Sequence, residues 1–178
     1  GKTYQDEMNI IHENEYRNNF IKKLLLKNKG NKLLLFSKIE KHANKFYNNL
    51  LNDDNFKEYK IILLDHNSKI KIRDGIKPLI ENNNNVILLA TYKLLGTGWS
   101  VNNLHNIIFM SPLKSKQPLI QAIGRGLRLL NNEKICQIWD IIDKFNYSNI
   151  LYKQWKCRNE HYIVENFPLK KISIGKHE

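Results

Sequence analysis

Short, uniformly apolar runs alternate with amphipathic stretches along most of the chain. Leu33-Leu34-Leu35-Phe36, Ile61 to Leu64, Val86 to Ala90, Ile107 to Met110 and Ile135 to Ile142 read as five strands, each of strand rather than helix length. Residues 5–28 read as one helix with Met8, Ile11, Phe20, Ile21, Leu24 and Leu25 on its apolar side, stopped by Gly30 and Asn31. Ile39, Ala43, Phe46, Tyr47 and Leu50 mark a second helix ending near Asn52-Asp53. Ile72, Ile76, Leu79 and Ile80 line a third, closed by the run Asn82 to Asn85 despite Pro78. Strands without polar alternation, separated by such helices, predict an α/β fold: a parallel sheet covered on both faces. Ligands of these sheets gather at the carboxyl ends of the strands, here the loops after Phe36, Leu64, Ala90 and Met110. Beyond residue 145 the pattern weakens. Tyr147, Tyr152, Trp155, Tyr162 and Phe167, mixed with lysines, predict a helical tail packed on the domain. The expected division is a leading helix over 1–30, the sheet domain over 31–145 and the tail over 146–178.

Gln121-Ala122-Ile123-Gly124-Arg125-Gly126-Leu127-Arg128 carries the most chemistry. Ser115 can cap a helix here, with Pro118 in its first turn, where proline is tolerated. Ile120, Ile123, Leu127 and Leu130 form its apolar face. Gln121, Arg125 and Arg128 share another face. Two guanidinium groups one turn apart repel unless an anion lies opposite, and arginine's fork suits phosphate. A basic amphipathic helix with solvated arginines is the competing reading.

Composition adds direction. A chain of 178 residues, 42% of them hydrophobic, suits one domain with a full core. Its net charge of +12 and pI near 9.6 point to a polyanion such as nucleic acid. The richness in asparagine and lysine also fits a bias in genome base composition. Cys136 and Cys157 have no metal-ligand spacing and fit a reducing compartment. No run nears the roughly 18 apolar residues of a membrane span. A soluble intracellular protein is expected, in host cytoplasm or nucleus if the source is viral.

The spacing Gln-x-x-Gly-Arg-x-x-Arg over 121–128 resembles the sixth motif of superfamily 2 helicases. Other stretches resemble that family in the same order. Leu33 to Ser37 is similar to its fourth motif, and Leu64-Asp65-His66 with Arg73 to the next stretch. Ala90-Thr91 followed by Gly96-Thr97-Gly98-Trp99-Ser100 is similar to the fifth. Asn103-Leu104-His105-Asn106, Trp139-Asp140-Ile141-Ile142-Asp143 and the pair Glu15 and Arg17 narrow the likeness. It is greatest to phage recombination and branch-migration helicases of the UvsW type and their relatives in large DNA viruses, over roughly residues 5–145. Ser100 departs from the family, which usually has an acid near the ribose there; this touches base and sugar selection rather than phosphate handling.

The resemblance implies the second RecA-like domain of an ATP-dependent DNA helicase, with RNA as the alternative substrate. Arg128 would be the arginine finger, Arg125 would hold phosphate or the interdomain contact, and Gln121 would position water or the partner domain. Gly98, Gly124, Arg125 and Arg128 would face the nucleotide. Ser37, Thr91, Gly96, Thr97, Lys114 and Lys116 would contact strand backbone; Thr91 brings a hydroxyl, and the glycines allow close approach of N–H groups. Each has a plainer reading. Thr91 could simply end a strand, Ser37 could cap a helix, the two lysines could be solvated, and His66 and His105 fit structural or surface roles. Gly1-Lys2-Thr3 copies the end of a P-loop without its upstream glycine and strand. It is assigned to chance or to an added terminus. ATP and Mg2+ would therefore be held mainly by a first RecA-like domain elsewhere in a longer polypeptide. No metal site is predicted in this chain. A non-motor strand-binding half-domain, or the motor part of a restriction or transcription-release machine, are the readings from other classes.

Overall fold

A computed structural model describes residues 2–64, 68, 70–95, 101–113 and 136–175. Among these, five strands form one parallel sheet: β1 (Lys32–Phe36), β2 (Lys60–Leu64), β3 (Val86–Thr91), β4 (Asn106–Phe109) and β5 (Gln137–Asp140), in the order β2-β3-β1-β4-β5. The central pairing sets Leu33 opposite Leu88 and Phe36 opposite Thr91. The predicted parallel α/β architecture is present.

Alternation along the strands divides the core. Leu33, Leu35, Val86, Leu88, Ala90, Ile107 and Phe109 face one side, with Ile76 and Ile80 of α4 (Ile70–Glu81) and Tyr162 of α6 (Ile150–Val164). Leu34, Phe36, Ile87, Leu89, Ile108 and Met110 face the other. There Ile21, Leu24 and Leu25 of α2 (Glu15–Lys27) and Phe46 and Leu50 of α3 (Asn44–Leu51) cover them. Burying each fully enclosed Val, Leu, Ile, Phe or Met among them stabilises the fold by about 1.5–3 kcal/mol. Pro78 lies inside α4, where it removes one helical hydrogen bond; the packing of Ile76 and Ile80 on the sheet offsets that loss.

Three sequence expectations are corrected. The leading helix is two, α1 (Tyr4–Glu13) and α2, broken at Asn14. Asn14 takes extended angles, and its side chain accepts the N–H of Arg17 at 3.0 Å, so the residue that ends α1 also caps α2. The second predicted helix opens as a π turn over Ile39–Ala43 before α3 begins. The fifth strand spans only Gln137–Asp140. Its partner β4 ends at Phe109, opposite Asp140, which leaves later residues nothing to pair with. Ile135 lies outside the described residues.

Asparagines organise the amino-terminal end of the sheet. The Asn31 amide donates to the carbonyls of Ile80, Asn83 and Asn103, and its oxygen accepts the N–H of Val86 at 2.9 Å. Asn103, in the left-handed region at φ 63°, donates to Ile80 and Asn83. Asn106 donates to the Lys29 carbonyl and accepts from the Trp139 indole at 3.0 Å. His105 accepts the Asn31 N–H at 3.1 Å, a structural role. Gly30 is required beside it: its φ is +85°, and a Cβ would collide with the His105 ring.

The tail is anchored by its helix. Both carboxylate oxygens of Glu7, a buried residue of α1, accept the first N–H groups of α6, from Ile150 and Leu151, each at 3.1 Å. A carboxylate at a helix N-terminus satisfies orphan donors and complements the dipole. α5 (Tyr92–Leu95) is a single turn that follows β3.

Candidate nucleic-acid interface

Two of the expected strand-contact residues meet at the carboxyl edge of the sheet. Thr91 ends β3 in register with Phe36 of the neighbouring β1, and Ser37 follows directly, exposed. Thr91 is buried, and its hydroxyl has no hydrogen-bond partner among the described residues. An unpaired buried hydroxyl costs about 1–3 kcal/mol unless something outside satisfies it. Lys38, Lys41, Lys45 and Lys93 are exposed around this edge. The first three act on His42: burial lowers its pKa most, followed by Lys41, and Lys45 and Lys38 add to the effect while Glu13 opposes it. Of these lysines Lys41 is itself paired with Glu13, at 3.6 Å.

Beneath the edge sits a buried histidine pair. His12 of α1 stacks on His42 with centroids 3.9 Å apart and lies 3.0 Å from the Ser111 hydroxyl. Burial first, then Arg17 and His42, drive the pKa of His12 from 6.5 to about 2. The unfolded imidazole binds a proton below about pH 6.5 while the folded one stays neutral, so its contribution is present above that pH and is lost on acidification. The loss reaches about 2 kcal/mol by about pH 5. Urea midpoints of His12→Gln are therefore expected to fall less between about pH 7 and about pH 5 than those of the parent protein; parallel slopes would exclude His12 as the source.

The segment 110–113 leads into residues 114–135 and is held from four directions. Arg17 of α2 donates to the Met110 carbonyl at 2.8 Å, and Tyr92 donates to the Ser111 carbonyl. His12 contacts the Ser111 hydroxyl, and Arg158 of α6 donates to the Leu113 carbonyl at 2.7 Å. Each arginine is itself held by an acid. Asp143 takes Arg17 at 2.8 Å, and Asp140 takes Arg158 through both oxygens at 2.9 Å. Asp140 also accepts from Tyr162 at 2.8 Å. Burial opposes the charge on Arg158, but Asp140 outweighs it and holds the guanidinium above its ordinary pKa.

These clamps give structural roles to Arg17, Asp140 and Asp143, which the sequence presented only as motif residues. Arg158 was missed. Its signal was position: it falls seven residues after Leu151 and four before Tyr162, on the buried stripe of α6. Asp65, His66, Gly96, Thr97, Gly98, Trp99, Ser100, Lys114, Ser115, Lys116, Pro118, Gln121, Gly124, Arg125 and Arg128 lie outside the described residues. Among those described, no group of three or more His, Cys, Asp or Glu is placed to hold a metal ion, and no helix is long and apolar enough to cross a membrane.

A five-stranded parallel sheet covered by helices on both faces is the architecture of a RecA-like domain. Residues 16–129 match the family model of the helicase conserved C-terminal domain, and the chain belongs to that family. It is similar to the ATP-dependent DNA helicase uvsW of Enterobacteria phage T4, with 31% identity over 191 residues. That match takes in 98% of this chain and 37% of the relative, so the chain spans little more than a third of that protein's length. The crystal structure of T4 UvsW superposes with a TM-score of 0.74 at 30% identity, covering 93% of this chain and 36% of that one. The C-terminal part of the Fun30 ATPase domain gives 0.59 at 19% identity, over 78% of this chain and 43% of that one, a likeness of fold alone. The fold is RecA-like, as the motifs implied.

Proposed function

We propose that this chain is the second motor domain of an ATP-dependent superfamily 2 DNA helicase or translocase that unwinds duplexes or moves branches. The observation that carries the reading is the unsatisfied Thr91 hydroxyl, buried at the end of β3 beside exposed Ser37 and a rim of lysines. It is a donor waiting for an acceptor where a strand phosphate could supply one. Membership of the helicase C-terminal family and the likeness to uvsW support the same reading.

In the complete protein a first RecA-like domain would supply the P-loop lysine and the acids for Mg2+. ATP held there would supply the free energy of the cycle, its binding favouring the closed state and its hydrolysis the open one. This chain's part is cationic: Arg125 and Arg128 meet the phosphates from the far side of the cleft, with Gln121, Gly98 and Gly124 beside them. Ser37, Thr91, Gly96 and Thr97 grip one strand's backbone, with Lys114 and Lys116 adding charge. Differential contacts in the closed and open states convert the cycle into stepping. Contacts to phosphate rather than to bases give little sequence preference and strong salt dependence.

Thr91→Val tests the grip. Valine keeps the shape and removes an unpaired hydroxyl, so folding stability should hold or rise, while affinity of the full-length protein for single strands falls about tenfold. Strand-stimulated ATP turnover should persist at saturating strand. Unaltered affinity would refute the contact, and ATP turnover that ignores strands would favour a binding module without motor activity.

A further inference from the structure

The tail carries a second patch suited to nucleic acid, on the amino-terminal half of α6, where Tyr152 and Trp155 are both half-buried. Tyr152 and Trp155, one turn apart, stack with centroids 5.2 Å apart and planes at 30°. Three ammonium groups from three segments converge on these rings. Lys144 Nζ lies 5.7 Å and Lys156 Nζ 5.3 Å from the Tyr152 centroid, and Lys171 Nζ lies 5.1 Å from that of Trp155. All three lysines are exposed. Among the described residues none of them pairs with a carboxylate. The acids of α6, Glu160, and of its end, Glu165, lie beyond the aromatic pair in sequence. A ring-plus-lysine pairing recurs just before the helix: Phe145 stacks on Tyr147 at 5.4 Å, with Lys2 Nζ 5.4 Å from the Tyr147 centroid.

Like charges gathered without a counter-ion repel one another, and cation–π contact relieves only part of that. The ligand that fits is an anion which also offers flat faces to the rings. We propose that the Tyr152–Trp155 face of α6, with Lys144, Lys156 and Lys171, binds single-stranded nucleic acid by stacking bases on the rings. The lysines swing on their flexible stems from ring faces to backbone phosphates. The rings accept any base, so the patch holds strand without reading sequence. This contact is separate from the Thr91 edge and shares with that reading only the identity of the ligand.

The test is anisotropy titration of the full-length protein with a labelled oligothymidylate of about 20 nucleotides, long enough for both contacts. Lys144→Glu and Lys171→Glu, changes at exposed positions, should each weaken binding severalfold and flatten the dependence of log K on log salt by about 0.7 or more. Trp155→Ala should weaken it about tenfold, with Trp155→Phe restoring most of the loss. Strand binding should quench tryptophan fluorescence in the parent protein more than in Trp155→Phe. Unchanged affinity and salt slope in both lysine variants would overturn the proposal. If Thr91→Val alone weakens binding, the tail contact falls and the edge contact stands; if only the tail variants do, the reverse holds. Oligouridylate titrated in parallel separates RNA from DNA as the occupant.

Discussion

Asp140→Ala is expected to destabilise the folded protein by about 3–5 kcal/mol, because it strands a buried guanidinium. Arg158 is only 1% exposed, and Asp140 meets it with both oxygens while also accepting from Tyr162. Removing the acid leaves the cation with the Leu113 carbonyl and leaves the Tyr162 hydroxyl without its acceptor. The double replacement Asp140→Leu with Arg158→Met should be milder than Asp140→Ala alone, since replacing both partners removes the uncompensated charge as well as the attraction. Denaturant unfolding of the single and double variants measures this. A loss under about 1 kcal/mol for Asp140→Ala would show that the pair is solvated and behaves as a surface bridge.

The consequence reaches beyond stability. Arg158 and Arg17 each tie an acid at or just after β5 to a carbonyl of the segment 110–113. The leading helices and the tail helix thereby fix the point from which the chain departs toward Gln121, Arg125 and Arg128. A one-ångström shift at such a point is amplified along whatever follows, and catalytic geometry tolerates little displacement. The segments that flank the sheet domain in sequence therefore fix the end of the segment 110–113, from which the proposed arginines follow in sequence.

The sheet was legible because its strands are uninterrupted apolar runs, and the register then placed Ser37 and Thr91 together at the edge. The break at Asn14 was not legible. Apolar spacing continues from Met8 and Ile11 to Phe20 and Ile21, and only the cap geometry of Asn14 reveals two helices. Asparagine was under-read elsewhere: Asn31, read as a helix stop, Asn83, read as part of a closing run, and Asn103 and Asn106, read only as motif residues, tie the strand ends through their amides and carbonyls. Buried charge was hardest to see. Arg158 sits among lysines in sequence, and only its place on the Leu151–Tyr162 stripe, together with a distant aspartate, distinguishes it from a solvated arginine.

Arg128→Ala carries the largest expected effect on function. In the full-length protein it should cut strand-stimulated ATP hydrolysis by about 10³-fold or more, the usual contribution of a finger that stabilises charge in the transition state. Affinity for single strands should stay near that of the parent, because the proposed strand contacts, Ser37 and Thr91 at the sheet edge, would act on a different ligand. Lysine is not an adequate substitute, since it lacks the planar fork that meets phosphate bidentately. Arg128→Lys should therefore recover only a small part of the rate. Arg125→Ala separates the two arginines: a residue that holds phosphate or the domain contact raises KM for ATP as well as lowering turnover. Equal loss of hydrolysis and strand binding in Arg128→Ala would instead mark Arg128 as structural. The finger would then have to be sought at another arginine, Arg125 first.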